Sequence, residues 1–234
     1  MESTVVLTAP AETSAPRGFT LVEMLVVLAI IAIITAVAVT GQSAFNRTLL
    51  LTDTTYGVAF SARQAQSFGI SSRKFGSVQN AGYGLHFSSV TPTTYTLFAD
   101  TFAASGGASV MPTGCPAATA PANRPQEQKP GDCRFEGTDG TVSAYTFGRG
   151  FVIKRFCGKV GATNYCSDGS PSLSSLDAVF TRPNTSTTLS GLVNGSSLTT
   201  FTCAEVTVGD GTGQASKTIR ISSLGEISIG QTCP

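Results

Sequence analysis

The chain has 234 residues, of which 41% are hydrophobic and 12% are charged, and its formal net charge is +1. This length accommodates one ordinary domain with an appended element, and the apolar content argues against a disordered chain. Abundant Gly, Ser and Thr with few charges favour a β-rich domain over a helical bundle, while the balanced charge indicates no particular partner.

A long apolar run lies near the N-terminus. Residues 19–39 read FTLVEMLVVLAIIAIITAVAV and contain one charged side chain, Glu23. As a helix this run is about 31 Å long, which matches the roughly 30 Å hydrocarbon core of a bilayer. The alternative is a buried core helix, but such a helix normally carries a polar stripe. The run therefore predicts a membrane-spanning helix.

The residues before this run do not form an ordinary secretory signal. Such a signal has a basic start, an apolar stretch of about 7 to 15 residues and a cleavage site after that stretch. Here Glu2 and Glu12 accompany a single base, Arg17, the apolar run is longer, and the candidate processing site precedes it.

The junction RGFTLVEMLVV at residues 17–27 resembles the class III leader junction of type IV prepilins and type II secretion pseudopilins. The resemblance implies that a membrane protease, the prepilin peptidase, cuts after Gly18 and that Phe19 becomes the N-methylated first residue. Glu23 then falls at the fifth mature position, which the family keeps acidic. Residues 1–18 are accordingly expected to be the leader, and residues 19–40 the transmembrane and filament-core helix.

The same resemblance implies partners and a location. The partners are the prepilin peptidase, other pilin or pseudopilin subunits contacted through the N-terminal helix, and the membrane itself. The expected topology is a single pass through the inner or cytoplasmic membrane, with the N-terminus cytoplasmic and the C-terminal domain exported. The subunit then enters a pilus at the cell surface or a pseudopilus in the periplasm.

Glu23 needs an explanation because a carboxylate in hydrocarbon costs at least about 2.5 to 3.5 kcal/mol. One explanation is local: Thr20-x-x-Glu23 has the pattern of a capping box, which satisfies free amides of the first helical turn. The other follows from the resemblance and is an ion pair with the Phe19 amine of a neighbouring subunit. The two roles are compatible.

Residues 41–75 are expected to continue the helix in amphipathic form. An apolar stripe at intervals of three and four supports this, formed by Phe45, Leu49, Thr52, Tyr56, Ala59 and Phe60. Gly41, Gly57 and neighbouring threonines predict a break between residues 40 and 57, and Gly69 or Gly76 is expected to end the helix. Residues 58–65 resemble the Ala-Arg-rich helix end of H-type minor pseudopilins and related minor pilins, which implies a minor pilin or pseudopilin.

Residues 76–234 are predicted to form a β-rich exported domain. Short β-branched and aromatic runs predict strands at 83–87, 95–98, 142–147, 151–156, 178–181, 200–208, 217–222 and 226–229. The glycine-rich residues 209–213 predict a hairpin turn, since neither a helix nor Lys-Ser/Thr follows as in a phosphate loop. Residues 103–132 predict an extended loop. The expected fold class is α+β, with a long helix packed on an antiparallel β domain that contains disulfides.

Six cysteines follow the apolar run, and an even number in an exported domain indicates disulfides. Fifteen pairings are open to six cysteines. Pairings that close local loops are favoured, which are Cys115 with Cys133, Cys157 with Cys166, and Cys203 with Cys233. Loop closure by the first bridge contributes roughly 3 kcal/mol. The alternative is a metal site, but the sequence has no CxxC and one histidine, so no metal or other cofactor is expected.

Catalysis has little support in the sequence. The one histidine, His86, lies in a predicted strand, where a structural hydrogen bond is the expected role. No GxSxG or HExxH motif accompanies it. We therefore expect no enzymatic activity.

A basic stretch offers an alternative, binding function. Residues 147–159 interleave cations with aromatic side chains, a composition suited to phosphate contact and base stacking, although a hairpin with a solvated basic face has the same pattern. Some minor pilins of the similar group capture DNA, and the candidate residues here are Arg149, Lys154, Arg155, Lys159, Lys217 and Arg220. Three hypotheses follow: a structural filament subunit, a filament-displayed module that binds DNA or a surface, and an exported protein with an uncleaved anchor.

Overall fold

The computed structural model describes residues 18–71, 73–101, 111–115, 131–183, 185–213 and 215–234. The chain divides into two compact units, residues 1–46 and residues 47–234. A long helix, α1, extends from Leu21 to Ile70 and contributes to both units. The predicted leader lies outside the described residues except for Gly18.

The first part of α1 is apolar on all sides. Between Leu21 and Val39 its mean hydropathy is 2.9 and none of it is buried, so by length and composition it fits a membrane anchor. Its hydroxyl at Thr35 donates hydrogen bonds to the carbonyls of Ile31 and Ala32. The polar group is therefore satisfied within the helix and does not interrupt the apolar surface.

The second part of α1 packs on the β domain through small and aliphatic side chains. The buried residues recur at helical spacing and include Leu51, Thr55, Val58, Ala59, Ser61, Ala62 and Ala65. The predicted apolar stripe is mostly not this face, because Leu49, Tyr56 and Phe60 are exposed. Arg47 and Gln66 attach the helix further, by contacts with Asp210 and with the Gly225 carbonyl.

The predicted break between residues 40 and 57 is not present, because α1 is helical throughout that range. The hydroxyls of Thr52, Thr54 and Thr55 each donate to the carbonyl four residues earlier, at 2.7 Å. This bonding accommodates the hydroxyl groups inside the helix. The helix ends at Ile70, directly after Gly69, one of the two predicted ends.

Eleven strands form the rest of the described structure. They are β1 Gly82–Ser88, β2 Thr94–Asp100, β3 Gly140–Thr146, β4 Phe151–Val160, β5 Thr163–Cys166, β6 Leu173–Phe180, β7 Thr187–Val193, β8 Ser197–Phe201, β9 Cys203–Asp210, β10 Ser216–Ser222 and β11 Ile227–Ile229. One antiparallel sheet has the order β3-β2-β1-β6-β7-β8 and the other the order β11-β10-β9-β4-β5.

The main core combines side chains from α1 and from both sheets. Alternate residues of β1, namely Tyr83, Leu85 and Phe87, join it from the six-stranded sheet, and Val206 and Ile219 join it from the other sheet. A smaller cluster contains Phe98, Cys115, Cys133 and Val179. It lies on the opposite face of the six-stranded sheet, since Phe98 and Val179 are both register partners of Gly84.

The α+β prediction is confirmed, and most predicted strands are found. The predicted strand at 200–208 is wrong as a single element, because β8 and β9 meet at Thr202 and belong to different sheets. Strands β5 and β7 were not predicted, since their sequences TNYC and TTLSGLV are short or rich in small polar residues. The hairpin turn after β9 is confirmed. The predicted loop at 103–132 lies largely outside the described residues.

Three disulfides are present, joining Cys115 to Cys133, Cys157 to Cys166, and Cys203 to Cys233. These are the pairs favoured by local loop closure. The bridge between residues 157 and 166 joins register partners on β4 and β5. None of the six cysteines is free.

Two glycines of α1 provide a matched test of this packing. A Cβ at Gly69 would lie 2.3 Å from the Phe180 carbonyl oxygen, whereas a Cβ at Gly57 would meet nothing within 4 Å. We expect Gly69→Ala to destabilise the protein by about 1–3 kcal/mol through overpacking, and Gly57→Ala to stabilise it by about 0.5–1 kcal/mol through helix propensity. Thermal unfolding of the full chain in detergent, with disulfides intact, measures both. Equal effects of the two substitutions would contradict this packing.

Candidate functional site

The residues around the predicted cleavage junction form the start of α1. Gly18 and Phe19 precede the helix, and Phe19 is exposed. The Thr20 hydroxyl oxygen accepts a hydrogen bond from the Glu23 backbone N–H at 3.2 Å, and the Thr20 carbonyl accepts one from Met24 at 3.3 Å. Thr20 is therefore the N-cap of the helix.

The Glu23 side chain contributes less to this cap than a complete capping box would. Within the described part of the chain its carboxylate accepts no hydrogen bond and forms no ion pair. Thr20 alone provides the side-chain cap. The carboxylate is the one charge of the segment from Leu21 to Val39.

The candidate DNA-binding residues are dispersed over the five-stranded sheet. Arg155 and Lys159 on β4 and Arg220 on β10 alternate with core residues and lie on the outer face. Lys217 is the register partner of Val208, a core residue, so it lies on the opposite face. Lys154 occupies an irregularity in the β4–β9 pairing, and Arg149 lies in the turn before β4.

Several of these cations already have partners. The Arg220 guanidinium lies 2.6 Å from the Glu226 carboxylate, and that of Arg155 lies 4.0 Å from the Asp168 carboxylate. The Lys159 ammonium donates to the Pro234 carbonyl. Neighbouring acceptors compete with phosphate for these side chains. DNA binding stays a prediction.

His86 pairs with a buried acid. Its Nδ1 lies 2.6 Å from an Asp177 carboxylate oxygen, and this contact joins β1 to β6. The His86 ring lies 4.4 Å from the ring of Phe135. In the described structure His86 hydrogen-bonds to no serine or cysteine. The arrangement suits a structural pair between neighbouring strands.

Three carboxylates that the sequence analysis missed lie at the base of the predicted long loop. Asp100 accepts a hydrogen bond from the Cys133 N–H, and Asp132 accepts one from the Arg134 N–H. Asp139 accepts three, from the N–H and the hydroxyl of Thr101 and from the Glu136 N–H. They hold the backbone on both sides of the loop. No motif distinguishes them, because each belongs to a different local segment.

Burial makes this acidic cluster costly. Desolvation, followed by repulsion from Asp139 and Asp132, raises the pKa of Asp100 well above its usual range. Desolvation also raises the pKa of Asp132 to about 6 and that of Asp139 to about 7. Among the described residues, no three acidic, His or Cys side chains are placed to hold a metal ion.

Comparison with known proteins identifies the N-terminal segment. Residues 14–39 match the model of the prokaryotic N-terminal methylation motif. This motif is the type IV pilin and pseudopilin signature, so the resemblance seen at the Gly18 junction is confirmed. The motif supports a type IV pilin-like or pseudopilin subunit in general. Proteins with this motif form a family of structural subunits. Neither curated proteins nor solved structures give a match to the chain.

The acidic cluster predicts an unusual pH dependence of stability. Because their folded-state pKa values lie above the usual range near 4, these carboxylates favour folding when protonated, and that contribution is lost as pH rises through about 6 and 7. We expect the melting temperature of the full chain to rise on acidification from about pH 8 to about pH 5. Asp139→Asn should make this dependence shallower.

Asp168→Asn is the control for this measurement, because Asp168 is an exposed carboxylate in a surface ion pair. It should leave the pH dependence as in the wild type. A melting temperature that falls steadily on acidification in the wild type would contradict the assigned role of the cluster.

Proposed function

We propose that this protein is a type IV pilin-like structural subunit of a pilus or a secretion pseudopilus. The prepilin peptidase cuts it after Gly18 and methylates the new amine of Phe19, and the helix then packs into a filament. The observation that carries the proposal is the methylation motif at residues 14–39, which leads directly into the apolar helix segment from Leu21 to Val39.

The disulfides support export of the β domain. All six cysteines are paired, which is typical of proteins in an oxidising compartment. The apolar segment precedes the first of them, so a single membrane pass places them together on the side away from the N-terminus. The proposed topology has the N-terminus in the cytoplasm and the domain in the periplasm or at the cell surface.

The Glu23 carboxylate, which has no partner among the described residues, supports the assembly step. After cleavage, the Phe19 amine lies four residues before this acid, and a neighbouring subunit displaced along its helix offers the same amine to it. An opposite charge compensates for burial of the carboxylate among apolar helices. The protein's role is then helix packing and display of the β domain, without an enzymatic step.

Processing is tested by the mass of the mature chain. We expect filament or membrane fractions to contain a chain that begins with N-methylated Phe19 and whose six cysteines are oxidised. Intact-mass measurement with and without reductant reads both features. A chain that still begins at Met1 would refute the proposal and favour an uncleaved membrane anchor.

Assembly is tested at Glu23. Glu23→Gln and Glu23→Leu should leave membrane insertion and cleavage intact, because insertion of an apolar helix does not need the charge. Incorporation into sheared filaments should fall by at least about tenfold, since the Phe19 amine loses its partner.

The matched control for Glu23 is Thr35→Val, which also removes a polar group from the apolar segment. Among the described residues the Thr35 hydroxyl bonds only to carbonyls of its own helix, so this variant should assemble as the wild type does. Normal incorporation of the Glu23→Leu variant into filaments would refute the assembly role of Glu23.

A further inference from the structure

The outward-facing side of α1 in the second unit carries a large apolar surface. Leu49 is 52% exposed, Tyr56 is 58% exposed and Phe60 is 68% exposed. Soluble surfaces rarely gather large apolar side chains in this way unless another molecule covers them. Tyr is moreover enriched at the energetic centres of protein interfaces.

An open groove of about 470 Å³ borders this surface. One wall is α1, with Asp53, Tyr56 and Phe60, and the other includes Tyr145 and Phe147. The second wall is supported by the buried ring of Tyr95, which lies 4.9 Å from that of Tyr145 and 5.5 Å from that of Phe147.

Gly57 leaves a gap between the two exposed rings. A Cβ there would meet nothing within 4 Å, so packing inside this chain does not require a glycine. A glycine inside a helix costs up to about 1 kcal/mol relative to alanine. Close approach of another molecule at Gly57 would explain why a glycine stands there, whereas packing within the isolated subunit does not.

Opposite charges lie towards the two ends of the aromatic surface. Asp53, Tyr56, Phe60 and Arg63 follow each other at intervals of three and four, so they share one stripe of the helix. Asp53 and Arg63 are exposed. Neither forms a hydrogen bond or ion pair within the described part of the chain. Their separation of ten positions corresponds to about 15 Å along the axis.

We propose that this stripe, Asp53 to Arg63, docks a second copy of the chain inside the filament. Two copies lie parallel and are displaced by about 15 Å along the helix, so that Arg63 of one copy reaches Asp53 of the next. The same displacement brings Ile70 of one copy beside Phe60 of the other. The inference rests on the proposed function, because a common membrane anchor is what makes the helices parallel.

Charge complementarity selects a second copy as the occupant. The stripe contains both the acid and the base of the contact, so it complements itself when shifted. A shifted parallel contact is head-to-tail. It leaves one acid and one base free at the two ends of the pair, so further copies can add at both ends and the assembly does not close. This requires adjacent copies of the chain, which distinguishes a repeated subunit from a single subunit at the tip.

The charges and the rings have different tasks in this contact. An exposed ion pair contributes little affinity, but like charges placed together oppose the wrong register. The aromatic and aliphatic side chains supply the apolar area. The ion pair therefore sets the displacement between these two copies, while the apolar residues hold them together. The Glu23–Phe19 pair needs a displacement of four positions, or about 6 Å, so it joins a copy to a different neighbour in the filament.

The test uses the full chain in filament-forming cells. Four variants are compared with the wild type: Asp53→Arg, Arg63→Asp, the double variant that carries both, and Lys74→Asp. Lys74 is exposed but follows the end of α1, outside the stripe. Each variant is assayed for cleavage and cysteine oxidation by intact mass, which reports export and folding, and then for its amount in sheared filaments.

We expect each single charge reversal in the stripe to lower incorporation by about tenfold through like-charge contacts. The double reversal should restore most of it, and Lys74→Asp should match the wild type. Normal incorporation of both single variants overturns the inference. So does failure of the double variant to recover, which assigns the stripe to a different partner.

The amount of processed wild-type chain in filaments distinguishes failure of this inference from failure of the proposed function. If the processed wild-type chain is absent from filaments, the proposed function itself fails. If the chain is processed and present only as one copy per filament, the proposed function stands and docking of a second copy is refuted.

Discussion

An apolar helix with no polar face cannot stay in contact with water. The segment from Leu21 to Val39 has this character, and none of it is buried. Burial of apolar surface is favourable by roughly 25 cal/mol per Å², so this segment needs either lipid or other apolar helices around it. Both environments exist for a subunit that is stored in a membrane and then assembled through its helices. Glu23, the single charge of the segment, suits lipid poorly and suits a bundle of helices that offers it an opposite charge.

The later part of α1 meets a different constraint, because one side must fit closely against the β domain. Small side chains at Ala59, Ala62 and Ala65 allow this approach, and at Gly69 the backbone comes too close to Phe180 for any side chain. Where these small residues face the sheet, Tyr56 and Phe60 lie on the other side of the helix and are exposed. Near the end of the helix an aromatic residue does pack on the β domain, since the ring of Phe68 lies 5.4 Å from that of Tyr83.

Much of this architecture follows from the sequence. The membrane segment depends on composition and length, the junction at Gly18 depends on a local motif, and the disulfide pairs follow the shortest loops. All three are local features of the chain, so they can be predicted from the sequence.

Other features depend on contacts between distant segments. The division at Thr202 into two sheets results from pairing across the fold, because β9 pairs with β4. The strand at residues 187–193 pairs with its neighbours along the chain and is hidden instead by its small polar residues. The orientation of α1 could not be inferred either, because bulky residues suggested the wrong buried face. The acids at 100, 132 and 139 are ordinary carboxylates in the sequence and become a cluster only when the loop base closes.

Arg47 of α1 is paired with Asp210 of β9, but three other charges of the helix differ from two arginines of the sheets. Glu23, Asp53 and Arg63 on α1 have no partner among the described residues, whereas Arg155 and Arg220 on the sheets are paired with carboxylates. A DNA-binding surface at those two arginines would have to break existing ion pairs before it contacts phosphate. The proposed contacts between subunits along α1 require no such exchange, and they would neutralise charges that have no partner among the described residues. The electrostatics therefore favour a protein whose specificity lies in its helix and whose β domain is carried on the filament.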